Sequence, residues 1–298
     1  MNIHTIHNCP LCGNSQFLKI MTCTDHYATN EIFDLFACQK CGFLFTQNVP
    51  EENEMGKYYE SPNYISHTDT RKGLSNRLYH YIRHYMLSKK ARLIKHKCGL
   101  EAGNLLDIGT GTGYFCNYMQ KQGWKVAGVE KSKHARDFAL KHFNLNISEP
   151  ETLNEFKKKS FDVITLWHVM EHLHAINETW ETISSLLKDK GILVIAVPNP
   201  SSFDAQYYKN IWAAYDVPRH IWHFTPSTIQ QFGAKHGFIL TERYPMPFDT
   251  FYISILSEKY KHGHFSFLKG IITGIKGSFA TIIKKEQSSS MIYIFRKK

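Results

Sequence analysis

Apolar positions change period along this chain, and the changes divide it. Short β-like runs come first, at 17–22, 32–37 and 43–46. A polar stretch rich in tyrosine follows over 51–70, with Tyr58, Tyr59, Ser61, Tyr64 and His67. Apolar residues then recur helically through Leu74, Leu78, Ile82, Tyr85, Met86 and Leu93, which predicts a helix ending near Cys98-Gly99. Beyond residue 100, strands and helices alternate. Strands are expected at 105–108, 124–129, near Ile147, at 161–166 and at 192–197. Between them lie helices from Tyr114 to the Gly123 stop, over 132–143 with Ser132 as N-cap, and over 178–188 before Gly191. The run 161–166 is apolar enough to be buried on both faces. Thr225-Pro226 opens a further helix, and 238–244 with 291–295 read as a late antiparallel pair.

This alternation predicts an α/β fold, a doubly wound parallel sheet with helices on both faces. Three segments are expected: a module over 1–50, a connector and helix over 51–100, and the α/β domain over 101–298. An insertion at 249–285 precedes the last strand. Within 265–283, Leu268, Ile271, Ile272, Ile275, Phe279 and Ile282 have helical spacing and flanking lysines. Such a helix either packs on its own domain or lies on a membrane surface.

The run from Leu105 to Phe115 concentrates the candidate chemistry. An apolar strand ends at Asp107-Ile108, breaks into Gly109, Gly111 and Gly113, then opens a helix. Strand, glycine loop and helix N-terminus together form a cradle for a nucleoside ligand. A dinucleotide fingerprint needs its third glycine one residue later, where Tyr114 stands. Glu130 ends the next strand, where such folds hold a ribose diol through charge-assisted hydrogen bonds.

Four of the seven cysteines form two C-x-x-C-G knuckles, Cys9-Pro10-Leu11-Cys12-Gly13 and Cys38-Gln39-Lys40-Cys41-Gly42. Four thiolates close a tetrahedral site and leave no open position, so structural zinc on Cys9, Cys12, Cys38 and Cys41 is expected. An odd cysteine count with paired knuckles points to a reducing compartment, and a cytoplasmic protein is expected. No apolar run is long enough to span a membrane, and the N-terminus has no signal-peptide pattern. The net charge of +10 is diffuse. It fits nucleic acid, an anionic membrane, a phosphorylated substrate or a solubilising surface.

Residues 104–200 resemble the cofactor-binding half of the class I S-adenosylmethionine (SAM)-dependent methyltransferases, which have a seven-stranded Rossmann-like sheet. The acid and G-x-G-x-G of 107–113 match their first motif. The stretch 161–173 with Pro198-Asn199 is similar to the ubiquinone-type O-methyltransferases and sugar C-methyltransferases, and the four-cysteine module with its connector is similar to the latter. The resemblance implies methyl transfer from SAM, with cofactor contacts from Asp107, Gly109, Gly111, Gly113 and Glu130. It places Trp167 and His168 along the methionine part of SAM. It also implies a small-molecule acceptor, with a sugar nucleotide or glycan precursor favoured.

Trp167-His168-Val169-Met170-Glu171-His172 follows the fourth strand. His168, Glu171 and His172 share one face if helical. The inverted zinc-protease pattern that they match formally is rejected, because the motif follows a buried strand inside a nucleotide-type sheet. A divalent ion is a second reading. Preferred is a pair in which Glu171 orients His172 as base near the acceptor. Asp216-Val217-Pro218-Arg219-His220-Ile221-Trp222-His223-Phe224 is a second cluster. Arg219 suits a phosphate or carboxylate, and His220 or His223 can replace His172 as base. Two other functions compete: an RNA methyltransferase gripping phosphates, and a non-enzymatic adaptor on a SAM fold. The cysteine module has only Lys19 and Lys40, fewer cations than an RNA grip requires.

Overall fold

The computed structural model describes residues 2–59 and 74–298. The chain opens with β1 (Ile3–His4), β2 (Phe17–Thr24), β3 (Ile32–Cys38), β4 (Leu44–Gln47) and β5 (Val49–Pro50). β2, β3 and β4 form an antiparallel meander, and β1 pairs with β5. The two knuckles are built alike: Gly13 N donates to the Cys9 carbonyl and Gly42 N to that of Cys38, each at 2.8 Å. Both glycines have φ above +70°, a conformation that β-carbon sterics disfavour. α1 (Gly56–Tyr59) follows. Ser61, Tyr64 and His67 of the connector lie outside the described residues. α2 (Leu74–Cys98) ends where the sequence predicts, with Gly99 at φ +70°.

The α/β domain runs β6 (Asn104–Ile108), α3 (Tyr114–Lys121), β7 (Lys125–Val129), α4 (Lys133–Phe143), β8 (Phe161–Trp167), α5 (Ile176–Leu186), β9 (Leu187–Pro198), α6 (Phe203–Tyr208), β10 (Trp222–His223), α7 (Pro226–Lys235), β11 (Phe238–Pro245), α8 (Asp249–His262), α9 (Phe267–Ile283) and β12 (Ser290–Lys297). Its sheet has the order β11-β12-β9-β8-β6-β7. The four central and edge strands β7, β6, β8 and β9 are parallel, and β12 and β11 close the sheet antiparallel, as expected.

Two expectations are corrected. The sheet has six strands, not seven. Near Ile147 only one parallel bridge forms, Val129 to Ser148. Pro150 follows two residues later, and a residue without an N–H cannot continue a ladder. The fifth helix also ends earlier, at Leu186, and β9 begins at Leu187, which pairs with Phe161. A strand entered directly from the helix removes the loop that Gly191 suggested.

The core is continuous across residue 50. Phe43, next to the second knuckle, is fully buried against the rings of Trp222, Phe224 and Phe232 at 5.0–5.8 Å. β10 adds to β4 as the fourth strand of the N-terminal sheet, with Trp222 opposite Phe45. Thr46 Oγ1 donates to the His220 carbonyl at 2.7 Å and meets His223 Nε2 at 3.0 Å. A charged latch reinforces this docking. The Arg219 guanidinium, 3% exposed, donates to Asp25 Oδ1 at 2.9 Å, to both Asp216 oxygens at 2.7 and 3.0 Å, and to the Tyr58 carbonyl at 2.8 Å. α8 and α9 form a hairpin in which Gly270, Gly274 and Gly277 sit against Ile255, Phe251 and Thr250, so the two backbones approach closely.

Breaking a buried charge pair costs about 3–5 kcal/mol, because the remaining charge stays uncompensated. Asp216 still faces Arg219 when Asp25 is lost, so Asp25→Ala is expected at the lower end, about 3 kcal/mol, or about 6–10 °C in thermal midpoint. A midpoint shift below about 2 °C in calorimetry would show that the latch contributes little.

Candidate active site

β6 delivers the chain to the glycine loop, and the loop is held from both sides. Gly109 N and Thr110 N donate to the Val129 carbonyl at 2.8 and 3.1 Å. Beneath the loop lies Asp107, 2% exposed. Its carboxylate accepts Thr165 Oγ1 at 2.5 Å and Thr110 Oγ1 at 2.7 Å. Burial raises its pKa, against the pull of those hydroxyls and of Lys90. Gly109 takes φ +71° directly under Val169, leaving no room for a side chain. Gly111 takes φ +54° and has nothing within 4 Å of its missing β-carbon. Its N–H donates to Glu130 Oε2 at 2.8 Å, while Glu130 Oε1 accepts Ser132 N at 2.8 Å. A backbone donor, a carboxylate and an open step thus converge beside the glycine loop. Gly113, at φ +81°, starts α3 against Ala139.

Trp167 ends β8 and packs edge-on against Phe115 at 5.6 Å. The Lys90 ammonium lies 4.0 Å from the Trp167 ring centre. Burial lowers the Lys90 pKa to about 8, and Asp107 and Asp249 pull the other way. Lys90 has no signature in the sequence, because a lysine on a helix crowded with cations reads as surface.

The stretch after β8 is not the expected helix. His168 has φ +57° and only residues Met170–His172 form a 3-10 turn. The left-handed residue turns the chain, so His168 and His172 do not share a helical face. His168 Nε2 lies 3.2 Å from Asp249 Oδ2, and its Nδ1 3.4 Å from Glu171 Oε1. Burial disfavours the imidazolium, but Asp249 and Glu171 outweigh it and push the His168 pKa up to about 9. Asp249, the first residue of α8, was missed because it sits 81 positions from His168 in an insertion without a motif.

Glu171 and His172 are brought together with His220, which the sequence offered only as a base in place of His172. One ligand atom from each lies within 4.8 Å of the others. Glu171 is 1% exposed, and among the described residues neither of its carboxylate oxygens has a hydrogen-bond partner. Burial alone would raise its pKa, yet His168, His172 and His220 hold it below the usual value. His172 Nδ1 lies 3.0 Å from the Arg219 carbonyl and His220 Nδ1 2.8 Å from that of Ala214. A carbonyl only accepts, so both Nδ1 atoms carry a proton. Burial, then His220, push the His172 pKa down to about 4. Tyr59 Oη, from the connector, meets His172 Nδ1 at 3.3 Å.

The other two candidates have different surroundings. Arg219 is committed to Asp25, Asp216 and Tyr58, which leaves it no direction in which to grip a phosphate. His223 is buried against Thr46 and the Tyr215 ring, with its pKa pushed down to about 3 by burial.

The four knuckle cysteines also converge, with all four sulfurs within 4.8 Å of one another. Cys9 and Cys41 are 3.6 Å apart, Cys12 and Cys38 3.5 Å. A tetrahedral zinc with arms of about 2.3 Å has sulfur–sulfur edges of about 3.8 Å, so the spacing fits. Burial opposes the Cys38 thiolate, but backbone N–H groups and Asn14 outweigh it and bring its pKa down to about 6.

A family model described as a methyltransferase domain matches residues 78–243, more than half of the chain. Ubiquinone biosynthesis O-methyltransferase of Pelagibacter ubique is 37% identical over 103 residues, which are 32% of this chain and 42% of that protein. The enzyme of the same name from Rhodopseudomonas palustris is 26% identical over 185 residues, 57% of this chain and 71% of that protein. The chain therefore spans less than half of the first relative's length. Among solved structures, a putative sarcosine dimethylglycine methyltransferase from Galdieria sulphuraria aligns with TM-score 0.52 at 14% identity, over 75% of this chain and 88% of that one. The 1,6-didemethyltoxoflavin-N1-methyltransferase of Burkholderia thailandensis, solved with S-adenosylhomocysteine, aligns with TM-score 0.50 at 14% identity, over 87% and 97%. At such identities the likeness is one of fold.

The two glycines make a graded test of the loop. At Gly111 an alanine has space and meets only the left-handed backbone penalty, about 1 kcal/mol. At Gly109 it also strikes Val169, and a total of about 3 kcal/mol is expected. Urea unfolding of Gly109→Ala and Gly111→Ala reads the difference, and equal costs would contradict this packing.

Proposed function

This chain belongs to the methyltransferase-domain family, and we propose that it transfers the methyl group of SAM to a small-molecule acceptor that loses a proton at the Glu171–His172–His220 cluster. The buried Glu171 carboxylate carries the reading: it has no hydrogen bond among the described residues and faces the His168 imidazole at 3.4 Å, so a ligand that completes its coordination offsets a costly burial. SAM supplies a methyl group on a positively charged sulfur. Gly111 N and Glu130 are the groups suited to its ribose, with Trp167 and Phe115 as the apolar wall beyond Asp107. Lys90 and His168 stand on the methionine side, where cations suit a carboxylate.

The cluster can serve the acceptor in two ways. A general base works best with a pKa near the operating pH, and the low pKa of His172 makes it a weak one alone. Imidazoles held through Nδ1 by carbonyls, beside a carboxylate, are instead the usual setting for a divalent cation. We favour that reading. Glu171, His172 and His220 would hold the ion, and its charge would acidify an acceptor hydroxyl. Glu171 acting directly as the base is the alternative. For the acceptor we favour a sugar nucleotide or glycan precursor, supported by the cysteine module whose connector reaches His172 through Tyr59. The relatives' names support a phenolic acceptor instead.

Calorimetry with S-adenosylhomocysteine and initial rates on both acceptor classes test these roles together. Wild type is expected to bind the product at micromolar level, and Glu130→Ala about tenfold or more weakly, through loss of charge-assisted hydrogen bonds. Glu171→Gln is expected to keep that affinity while kcat falls about a hundredfold. Loss of rate in chelator, restored by magnesium or manganese, supports the cation, and a rate indifferent to chelator supports the direct base. Unchanged kcat in Glu171→Gln excludes both.

We also propose that Cys9, Cys12, Cys38 and Cys41 hold structural zinc, on the fit of their sulfur spacing. Elemental analysis is expected to find one zinc per chain, and Cys38→Ser to lose it together with thermal stability. Folded wild-type protein without zinc, after expression in zinc-supplemented medium, would overturn the assignment.

A further inference from the structure

The insertion presents an apolar face that nothing among the described residues covers. On α9 the small residues Gly270, Gly274 and Gly277 take the side toward α8. The opposite side carries Leu268, Ile272, Ile275, Phe279, Ile282 and Ile283, which are 43–88% exposed. These positions recur at three- and four-residue intervals, so they form one stripe along the helix. Phe265 and Phe267 extend it at the N-terminal end, stacked at 5.4 Å and more than half exposed.

Charge distinguishes what this face meets. Lys269 and Lys276, seven positions apart, border the stripe, and Lys284 and Lys285 follow its end; all four are exposed. α9 contains no acid. The nearby acids are engaged elsewhere: Asp249 with His168, Glu258 with Tyr208, and Glu286 with Arg243. Among the described residues, none of the four lysines has an ion-pair partner. A second copy docking by two-fold symmetry would bring lysine borders together, like charge on like.

We propose that α9 docks on the surface of an anionic lipid bilayer, with the stripe in the acyl boundary and the lysines at the headgroups. An apolar stripe rimmed by lysine is the pattern of an interfacial helix, and lysine stems reach from the acyl boundary to the headgroups. No helix among the described residues is long and apolar enough to cross a membrane, so the contact is peripheral. The docking element is also part of the candidate site. α8 begins at Asp249, which pairs with His168, and its first turns pack on the glycines of α9. The proposal is independent of the acceptor's identity.

Co-sedimentation of the full chain with vesicles tests it. Wild type is expected to partition at least tenfold more strongly onto phosphatidylcholine vesicles containing about 30% phosphatidylglycerol than onto phosphatidylcholine alone. Each lysine near an anionic surface contributes about fivefold in partition, so Lys269→Gln with Lys276→Gln is expected to lower it about twenty-five-fold. Phe279→Glu is expected to lower it at least tenfold, while Ile32→Glu, on the exposed N-terminal sheet, leaves it unchanged. Circular dichroism melts confirm that each variant is folded. Three results would overturn the proposal: no partition of folded wild type, equal loss in Ile32→Glu, or a dimer in solution that Phe279→Glu converts to monomer.

Discussion

A guanidinium taken out of water must be met by negative charge and carbonyl oxygen on every side, and Arg219 is met from three parts of the chain. Asp25 comes from the N-terminal module, the Tyr58 carbonyl from the connector, and Asp216 from the loop after the central sheet. None of these pieces can shift without stranding a buried charge. The same residue fixes the chemistry beside it. Its carbonyl accepts the Nδ1 proton of His172, and His220 is its neighbour in sequence. The tautomers and spacing of the two histidines therefore depend on a latch whose charged end is committed to Asp25, Asp216 and Tyr58.

This explains which parts of the site were legible in the sequence. The glycine loop, Asp107 and Glu130 were readable because backbone geometry and local spacing specify them: few residues other than glycine tolerate φ +71° beneath Val169. Glu171, His172 and His220 were readable as chemistry, though not as a helix, since nothing in the residue types announces a left-handed histidine. Arg219 was misread. An arginine among histidines and an aspartate suggests anion recognition, but its partners come from residues 25 and 58, and pairing across such separations has no local signature. Lys90 and Asp249 escaped for the same reason. The parallel sheet and its closing antiparallel pair followed from strand alternation, while the strand near Ile147 was lost to a single nearby proline.

Two additions flank the matched methyltransferase segment, and each sends one side chain to its centre. The module and connector reach His172 through Tyr59, and the helical hairpin reaches His168 through Asp249. The matched residues 78–243 hold the glycine loop, Asp107 and Glu130, and the additions hold Tyr59 and Asp249. On the proposed function, such a division keeps the donor half constant while selectivity for the acceptor follows the added segments.

The pairing of β4 with β10 has a consequence in time. Phe43 and the open edge of β4 leave the ribosome long before Trp222 and His223, which cover them. Roughly 180 residues separate the two strands, and at about 5–20 residues per second the wait is about 10–40 s. Throughout synthesis the first module is a half-built sheet with a bare aromatic centre, dependent on a late dipeptide for its fourth strand. Truncated nascent chains ending before β10 are thus exposed to edge-to-edge association until Trp222 and His223 emerge.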